Sequence, residues 1–378
     1  VVPVRKTAKV GIAVSVKEGQ DDRPGLRSID RVLDEKPLIP RELLDLLLWA
    51  SRYYHTGAGA TLALAFPPYL RRARMTSALR ETRIFRTGTG RGVVGKKQHE
   101  ILLAVPEQGM SPESFRELFP GCSSSLKSLI KRGFLEQKQA SPSGSIVSVP
   151  EPSIRHTAEQ KAAIRMITDA LGAGCFRSFL LHGITGSGKT EVYLACAVKA
   201  LAMGRSVLYL VPEIALTPQT ISMIKNRIPL DVAVFHSGLP PAARAREFLK
   251  TARSATSFVL GTRSAVFSPL ANLGLIIVDE EHDHSYKQED GIPYNARDLS
   301  LLRAKNNRAV VILGSATPSM DVYIRASGKD HSLITMSKRT GGAGLPAIDV
   351  IDMRGVKSPV SDQLSQAIQD TLDKSEQA

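Results

Sequence analysis

The sequence predicts an α/β protein in which a parallel sheet is preceded by a small α+β module and a winged-helix module. Three observations support this. From residue 153 onward, short and continuously apolar strands alternate with helical segments, which is typical of a parallel sheet covered on both faces. Near the start, VRKTAKVGIAVSV alternates as strands do, and RELLDLLLWASRYY places leucines at helical spacing. Between these regions, residues 96–139 indicate three short helices and then a strand.

The boundaries between regions follow composition. We expect the α+β module in residues 1–73, a basic connector with the winged helix in 74–152, the parallel-sheet domain in 153–340 and a linker in 341–378. Residues 71–99 contain nine basic residues and one acidic residue, which indicates the connector. In the winged helix, Ser111 and Pro112 suit the start of the second helix, and Gly133 ends the third. Such a module commonly binds DNA, or else it only packs against its neighbours.

The parallel-sheet domain contains strings that predict its strands. They are SFLLHG, SVLYLVP, DVAVFH, SFVLGT, LGLIIVDE and AVVILGS. The stretch at 141–152 is rich in serine and proline and reads as a linker. A last helix-like pattern covers residues 362–374, and we expect no further strand series after Ile351. Because the sequence starts with Val1 and stops where that pattern ends, we expect it to be part of a longer chain.

Composition narrows the class of protein. The 378 residues suggest two or three domains, and 43% hydrophobic with 23% charged residues is normal for a folded protein. No leader and no sufficiently long apolar run is visible, so we expect a cytoplasmic location. The net charge of +14 favours a polyanionic partner, with nucleic acid first and solubility alone as the alternative. Cys122, Cys175 and Cys196 fit no disulfide or zinc pattern, and we expect all three to be buried.

The strongest functional motif is GITGSGKT, which fits the phosphate-binding pattern G-x-x-x-x-G-K-[ST] between a predicted strand and a predicted helix. Its glycines let backbone N–H groups turn toward phosphate oxygens, and the helix start adds positive potential. We expect Lys189 to reach the β and γ phosphates and Thr190 to bind Mg²⁺. The predicted nucleotide-binding residues are therefore Gly183, Ile184, Thr185, Gly186, Ser187, Gly188, Lys189 and Thr190.

A second motif, LGLIIVDEEHD, places acids where a predicted strand ends. Carboxyl ends of parallel strands are where sites of α/β proteins lie. Asp279 is suited to hold Mg²⁺, and Glu280 is suited to orient or deprotonate an attacking water molecule. We expect these two acids and Lys189 to be the catalytic residues. The alternative is a solvated acidic turn with no function.

These strings resemble a known family. DEEH is similar to the DExH box of superfamily 2 helicases, and GSAT at 314–317 is similar to their motif III, which couples hydrolysis to movement on nucleic acid. LVPEIALTPQ, VFHSGL, VLGTRSAVFSPL, VDEEHDHSYKQEDGIPYNARDL and ILGSATPS closely resemble the primosomal replication-restart helicases of that superfamily. The resemblance covers nearly the whole chain and implies a P-loop, RecA-like helicase lobe after an amino-terminal DNA-binding module and a winged helix.

The resemblance implies roles for further residues. Gln160 in HTAEQ would read adenine, although by itself it reads as an ordinary residue on a helix surface. Coupling would involve His282, Ser315 and Thr317. DNA contacts would come from Thr262, Arg263, Tyr286, Lys287, Tyr294 and Arg297. For Arg263, a buried structural role stays open.

By the same resemblance, the protein would be an ATP-dependent 3′ to 5′ DNA helicase that recognises stalled or repaired replication forks and initiates primosome assembly. Its cofactors would be ATP and Mg²⁺. Its partners would be forked and single-stranded DNA, single-strand-binding protein and other primosome proteins, near the nucleoid in the bacterial cytoplasm. Zn²⁺ ligands and the second helicase lobe would lie beyond residue 378, so we expect no zinc site in this chain and weak ATP hydrolysis by it alone.

Two other functions compete with this one. The first is an ATP-gated platform for assembly at forks, in which unwinding is incidental. The second is a P-loop kinase or small GTPase, which we disfavour because the DEEH and GSAT strings have no role in such proteins. Phosphate transfer to a small acceptor would support the kinase, and loading without unwinding would support the platform.

Overall fold

A computed structural model describes residues 2–4, 7–15, 28–34, 36–71, 82–139 and 155–340, apart from gaps at 91, 93, 107–108, 111, 113–114, 116–117, 229 and 329–330. It also describes a few positions between 366 and 373. The linker expected at 141–152 and most of the helix-like pattern at 362–374 lie outside the described residues.

The amino-terminal module combines a strand pair with two helices. β1 (Val2–Val4) pairs antiparallel with β2 (Thr7–Lys9). α1 (Arg41–Tyr53) forms over the predicted leucine pattern and buries Leu43, Leu46 and Leu47. It is followed by α2 (Ala58–Ala65) and a 3₁₀ turn at Pro68–Arg71. The period of the leucines thus gives α1 one apolar face, which must pack against another part of the protein.

The next region has a small core of its own. It contains β3 (Thr82–Arg86), α3 (Lys96–Ala104), α4 (Ser123–Lys131) and β4 (Leu135–Gln139). β3 pairs antiparallel with β4, and Ile84, Ile101 and Leu129 are fully buried between these elements. Part of the stretch that composition assigns to the connector therefore forms β3, whose Ile84 is buried in this core. The helix expected from Ser111 lies largely outside the described residues.

A seven-stranded sheet organises the rest of the described chain. Its strands are β5 (Arg177–Gly183), β6 (Ser206–Leu210), β7 (Val232–Phe235), β8 (Phe258–Gly261), β9 (Leu273–Val278), β12 (Val310–Ser315) and β13 (Ser332–Met336). They are parallel, in the spatial order β13-β5-β12-β9-β6-β8-β7. The predicted α/β class is confirmed. Since all strands point the same way, the segments after β5, β9 and β12 meet at one edge.

Helices connect these strands. They are α5 (Ala158–Ala173), α6 (Lys189–Ala202), α7 (Pro218–Arg227), α8 (Pro241–Ala252), α9 (Ala296–Asn307) and α10 (Met320–Ser327). 3₁₀ turns occur at Glu213–Ala215, Arg263–Phe267 and His284–Tyr286, and β10 (Lys287–Gln288) pairs with β11 (Tyr294–Asn295). None of the helices in the described part of the chain has the length and apolar character needed to cross a bilayer.

Each face of the sheet packs into a different hydrophobic core. One core joins strand residues such as Val278 to Leu299 of α9, Phe248 of α8 and the buried leucines of α1. The other joins the opposite face to α5, α6 and α7. The amino-terminal helix α1 therefore packs as a layer of the same body as the sheet.

The cysteines differ from expectation at one position. Cys122 and Cys196 are buried as predicted, but Cys175 is exposed. It follows Gly174, which ends α5 in the left-handed conformation, and it precedes β5. A residue in this turn between two elements faces outward, so the prediction of a buried thiol is wrong there.

Candidate nucleotide and DNA site

The phosphate-binding loop connects β5 to α6, as the motif predicts. Gly186 and Gly188 adopt φ angles of 81° and 79°, which L side chains rarely adopt. Gly188 precedes the first helical residues, Lys189 and Thr190. The loop therefore turns at its glycines and presents the unpaired N–H groups of the helix start, which is the arrangement that binds phosphate.

Lys189 connects this loop to the acidic motif. Its side chain is 9% exposed, and its Nζ donates a 2.9 Å hydrogen bond to the carbonyl oxygen of Gly183. The same Nζ lies 3.9 Å from Oε1 of Glu280. The two motifs, 91 positions apart, thus face each other, because β12 alone separates β5 from β9 in the sheet.

The loop fits a nucleotide triphosphate with its metal ion. The Oγ of Ser187 is buried and has no hydrogen-bond partner among the described residues, which leaves a donor inside the loop for an anion. A Cβ atom at Gly183 would lie 2.6 Å from that oxygen, so glycine keeps the space open. Proteins hold Mg²⁺ through one or two oxygen ligands together with substrate phosphates, and Thr190 and Asp279 can supply such ligands.

Gln160 supports the loop rather than lying on a helix surface. It is 2% exposed, and it forms a capping box with Thr157 at the start of α5. Its Oε1 accepts from the Thr157 N–H at 2.9 Å, and its Nε2 donates to the carbonyl oxygen of Ser187 at 3.2 Å. The surface reading was wrong because α5 begins against the loop. Both ends of the amide contact protein here, so adenine recognition by Gln160 stays a prediction.

Asp279 follows the end of β9, and the hydroxyl groups of two tyrosines contact its carboxylate. Tyr193 donates to its Oδ1 at 3.1 Å, and Tyr209 donates to its Oδ2 at 3.3 Å. Burial raises the pKa of this carboxyl group, and the neighbouring charge of Glu280 raises it further, while the Tyr193 hydrogen bond acts in the opposite direction. The carboxylate is therefore fixed in position and poorly solvated, which suits binding of a hard cation.

Glu280 leaves the strand in a different direction. Its φ is 43°, a left-handed value that is uncommon for residues other than glycine. Its side chain is 39% exposed, with Oε2 located 3.7 Å from Nδ1 of His282. This carboxylate can reach water near the loop, as a residue that positions water must.

A chain of contacts runs from Glu280 toward the GSAT segment. Nδ1 of His282 lies 2.7 Å from Oγ of Ser315, and that oxygen accepts from the Thr317 N–H at 3.0 Å. Ser315 ends β12, the strand between β5 and β9. The structure thus brings together the three residues expected to couple hydrolysis to movement.

Glu281 was missed by the sequence analysis. It is 2% exposed, and its two carboxylate oxygens accept from the N–H and the Oγ of Ser319 at 2.7 and 2.8 Å. Nη1 of Arg297 lies 3.1 Å from its Oε2. Glu281 therefore fixes the segment after GSAT to the acidic motif. Nothing in the local sequence marks it, because its partners come from distant parts of the chain.

Two other supports were also missed. Tyr193 follows Lys189 by four positions in α6, a spacing that puts both on one helix face, so this signal was available. Tyr209 lies inside an apolar strand, and it reaches Asp279 only because β6 pairs with β9. The strand order that brings them together is not visible in the sequence.

Arg297 is not placed for contact with DNA. Its side chain is 13% exposed, and its guanidinium group forms ion pairs with Glu281, Asp298 and Asp321, at 3.1, 3.0 and 2.9 Å. A guanidinium surrounded by three carboxylates has little positive potential left for a phosphate. We therefore correct this prediction and describe Arg297 as part of the support around Glu281.

Tyr286 and Tyr294 are also buried, at 1% and 5% exposure. The Tyr286 hydroxyl donates to the carbonyl oxygen of Asp279 at 2.6 Å, and the Tyr294 ring packs edge-on against Phe267 with 5.0 Å between centroids. Neither ring offers a face on which a base could stack, so the expected DNA contact is corrected for both. Their rings instead fill the core next to the acids.

The remaining predicted DNA contacts are Thr262, Arg263 and Lys287. Thr262 is buried at the end of β8, and Arg263 is half-buried. Nη1 of Arg263 donates to the carbonyl oxygen of Lys287 at 2.8 Å, which holds the start of the β10–β11 hairpin. Lys287 itself is exposed, with its Nζ 2.8 Å from Glu289. Contacts of these three residues with DNA stay predictions, and the structural role left open for Arg263 is present.

Comparison with known families gives two matches to this chain. Residues 157–324 match the DEAD/DEAH box helicase family, and residues 1–67 match the 3′ DNA-binding domain of PriA. The first match contains the phosphate-binding loop, the acids and the GSAT segment. The second contains α1 and the strand pair that precedes it.

Individual relatives agree with these matches. The chain is 36% identical over 365 residues to the replication restart protein PriA of Chlamydia muridarum (strain MoPn / Nigg), covering 91% of this chain and 47% of that protein. It is 39% identical over 265 residues to the replication restart protein PriA of Bacillus subtilis (strain 168), covering 68% and 33%. The chain thus spans about half the length, or less, of these curated relatives.

Among solved structures, that of RecG bound to a three-way DNA junction is 20% identical with a TM-score of 0.38, covering 51% of this chain and 25% of that one. This likeness is too distant to bear on function. The two domain matches and the identity with the curated relatives lead to one conclusion. The chain belongs to the PriA family of replication restart proteins, and its α/β part is a DEAD/DEAH box helicase domain.

Proposed function

We propose that this protein is an ATP-dependent DNA helicase that moves 3′ to 5′, recognises stalled or repaired replication forks and initiates primosome assembly. The observation that carries the proposal is the contact between Lys189 and Glu280, whose Nζ and Oε1 lie 3.9 Å apart. It stands beside the chain of contacts from Glu280 through His282 to Ser315. This contact supports the proposal because such a site would join a phosphate loop, a hydrolytic acid and a coupling segment in one place. A small kinase needs only the first of these.

The residues divide the chemistry among them. ATP supplies the phosphate bond that is cleaved, and Mg²⁺ neutralises negative charge on its phosphates. Lys189 would hold the β and γ phosphates, and Thr190 and Asp279 would hold the metal ion. Glu280 would orient a water molecule and accept its proton, with Glu280 placed by its left-handed turn. His282 and Ser315 would then transmit a change at the Glu280 carboxylate to the segment after β12.

DNA is the proposed polymer on which this motor acts. The net charge of +14 and the match of residues 1–67 to a 3′ DNA-binding domain support forked and single-stranded DNA as partners. We assign the regions 1–73, 74–152, 153–340 and 341–378 as the DNA-binding module, the connector with winged helix, the first helicase lobe and a linker. Single-strand-binding protein and other primosome proteins, met at the nucleoid in the bacterial cytoplasm, are proposed partners.

A platform function is the second candidate, and one observation favours it. α1 shares a core with the sheet, so the module and the helicase domain form a single body suited to hold a fork in place. The Lys189→Ala variant separates the two candidates. If primosome loading persists while unwinding is lost, the platform function is primary, whereas loss of both supports the motor.

The proposed function is tested by ATP hydrolysis of the full-length protein with and without forked DNA, next to the Glu280→Gln variant. We expect stimulation by DNA, and a loss of about 100-fold or more in kcat for the variant, since a general base contributes at least this much. ATP binding should persist in the variant, because Glu280 acts on water. Hydrolysis that does not respond to DNA would exclude the motor.

A further inference from the structure

The segment that leaves the edge strand β13 lies on the nucleotide site. We name this segment, Ser337–Thr340, the exit strap. At its start, the N–H of Ile184 in the phosphate loop donates to the carbonyl oxygen of Met336, the last residue of β13, at 3.2 Å. The strap thus begins beside the loop, and no motif in the sequence assigns it a role.

The first half of the strap is fixed to the helix that supports the loop. Oε2 of Glu159 accepts from the backbone N–H groups of Ser337 and Lys338 at 3.0 and 3.2 Å, and its Oε1 accepts from the Ser337 hydroxyl at 2.8 Å. Glu159 stands one position before Gln160, in the first turn of α5. A single carboxylate therefore holds the strap next to the residue that contacts the loop.

The second half of the strap is fixed to the loop itself. The N–H and the Oγ1 of Thr340 both donate to the carbonyl oxygen of Gly186, each at 2.9 Å. Its Cγ2 lies within 3.1 Å of where a Cβ of Gly188 would be. Thr340 thus contacts both glycines that give the loop its shape.

Arg339 lies between these two attachments. A Cβ atom on Gly186 would lie 3.8 Å from Cγ and 4.0 Å from Cδ of Arg339, so its aliphatic part covers the exposed turn of the loop. Arg339 is half-buried, although Lys338 and Thr340 on either side are exposed. The guanidinium group begins one bond beyond Cδ and carries five N–H donors, so it can keep the contact it already makes and still donate to an anion bound at the loop.

We propose that Arg339 is a further nucleotide-binding residue, which contacts the phosphates of the bound triphosphate. This inference rests on the proposed function, because it assumes that the loop binds ATP. A guanidinium group binds phosphate through two parallel hydrogen bonds, whereas an ammonium group binds it as a point charge. The strap supplies the position, through Glu159 and Thr340, and Arg339 supplies the contact. The residue works from the same domain as the loop.

The test measures the affinity of the chain for a fluorescent ATP analogue at fixed Mg²⁺ and salt. We expect Arg339→Ala to weaken binding about tenfold, and Arg339→Lys to restore it only in part. Lys338→Ala is the matched control, since it removes a neighbouring charge that is exposed, and it should change affinity less than about twofold. Each variant is compared with the wild type by thermal unfolding, so that a loss of structure is recognised.

Two further variants make the outcome decisive. Thr340→Val removes the hydroxyl bond to Gly186 and should weaken ATP binding, and Thr340→Ser, which keeps it, should not. Equal affinity of Arg339→Ala and the wild type, or equal losses in Arg339→Ala and Lys338→Ala, would overturn the inference. Lys189→Ala tests the premise separately. If the wild type fails to bind ATP, or binds it without Lys189, the proposed function itself fails, independently of Arg339.

Discussion

Asp279 and Glu280 are consecutive residues whose surroundings assign them different tasks. Two tyrosine hydroxyls hold the carboxylate of Asp279, and burial raises its pKa. Glu280 follows at a φ of 43°, which turns the chain so that its carboxylate points toward Lys189 and partly into solvent. A fixed, poorly solvated acid suits a metal ion, and an accessible acid suits water. The backbone turn between them is therefore part of the proposed mechanism.

At this scale the sequence predicts the residues to which we assign the chemistry and misses those that hold them in position. Lys189, Asp279 and Glu280 are recognisable because each stands in a short motif after a strand. Glu281 and Tyr209 are supports, and they meet their partners only through strand order and long-range contacts. The resemblance implied that Tyr286 contacts DNA, but its ring is buried and its hydroxyl donates to the backbone carbonyl oxygen of Asp279.

The thiols give a prediction that depends on pH. Burial raises the pKa of Cys196 to about 12, so at pH 7 to 9 this thiol stays protonated in the folded protein and is unreactive. Cys175 is exposed. Titration with a thiol-specific dye should therefore show a single fast thiol at pH 8, and Cys175→Ser should abolish the fast phase.

Cys196→Ala is the control for this experiment, and it should leave the fast phase unchanged. The sign of the linked stability change also follows. Because folding raises the pKa of this acid, its neutral form is favoured in the folded state, and the contribution to stability is complete below pH 9 and declines between pH 9 and 12. A second fast thiol in the wild type at pH 8 would contradict the burial of Cys122 or Cys196, and its persistence in Cys196→Ala would tell which.

Among the elements, six strands of the sheet were predicted, including the edge strand β7, and the other edge strand, β13, was not. β9 and β12 are buried along their whole length, so they appear as continuous apolar runs. Within the described part of the chain β13 pairs only with β5, and its residues alternate between exposed and buried. This alternation is short and is easily read as part of a loop. The omission mattered, because β13 delivers the exit strap to the phosphate loop.

The start of α6 depends on a glycine, which gives a prediction for this element. A Cβ on Gly188 would lie 2.4 Å from Nε2 of Gln160, and that side chain is buried and hydrogen-bonded at both ends. The φ of 79° adds strain for any L side chain. Gly188→Ala should therefore lower the free energy of unfolding by about 2 kcal/mol or more. Urea denaturation measures this.

Gly172→Ala is the matched control in a neighbouring element. Gly172 lies in α5, has no positive φ, and a Cβ there would meet nothing within 4 Å. Since alanine favours a helix over glycine, this variant should leave the stability unchanged or raise it by up to about 1 kcal/mol. Equal stability of Gly188→Ala and the wild type would mean that Gln160 moves freely, which would remove its assigned role in supporting the loop.

For the whole molecule, the amino-terminal module and the sheet domain share one core. α1 contributes Leu43, Leu46 and Leu47 to the same cluster as Phe248 and Val278. The sequence gives no sign of this, because the two regions are separated by more than 100 residues and each has its own pattern of elements. By contrast, among the residues that the structure describes, the core around Ile84 and Leu129 draws on its own region alone. A substitution in the core of α1 should therefore affect the stability of the strand that carries the acids. A substitution in the core around Ile84 and Leu129 should not.

The Leu47→Ala variant tests this organisation. Leu47 is fully buried in α1, and its truncation should cost about 2–5 kcal/mol, as for other buried leucines. If the module and sheet unfold as one unit, hydrogen exchange of the β9 amides should accelerate in this variant, although β9 lies far from residue 47 in sequence. Leu129→Ala, in the separate core, is the matched control and should accelerate exchange in α4 and β4 while β9 stays protected. Unchanged protection of β9 in Leu47→Ala would show that α1 unfolds independently of the helicase domain.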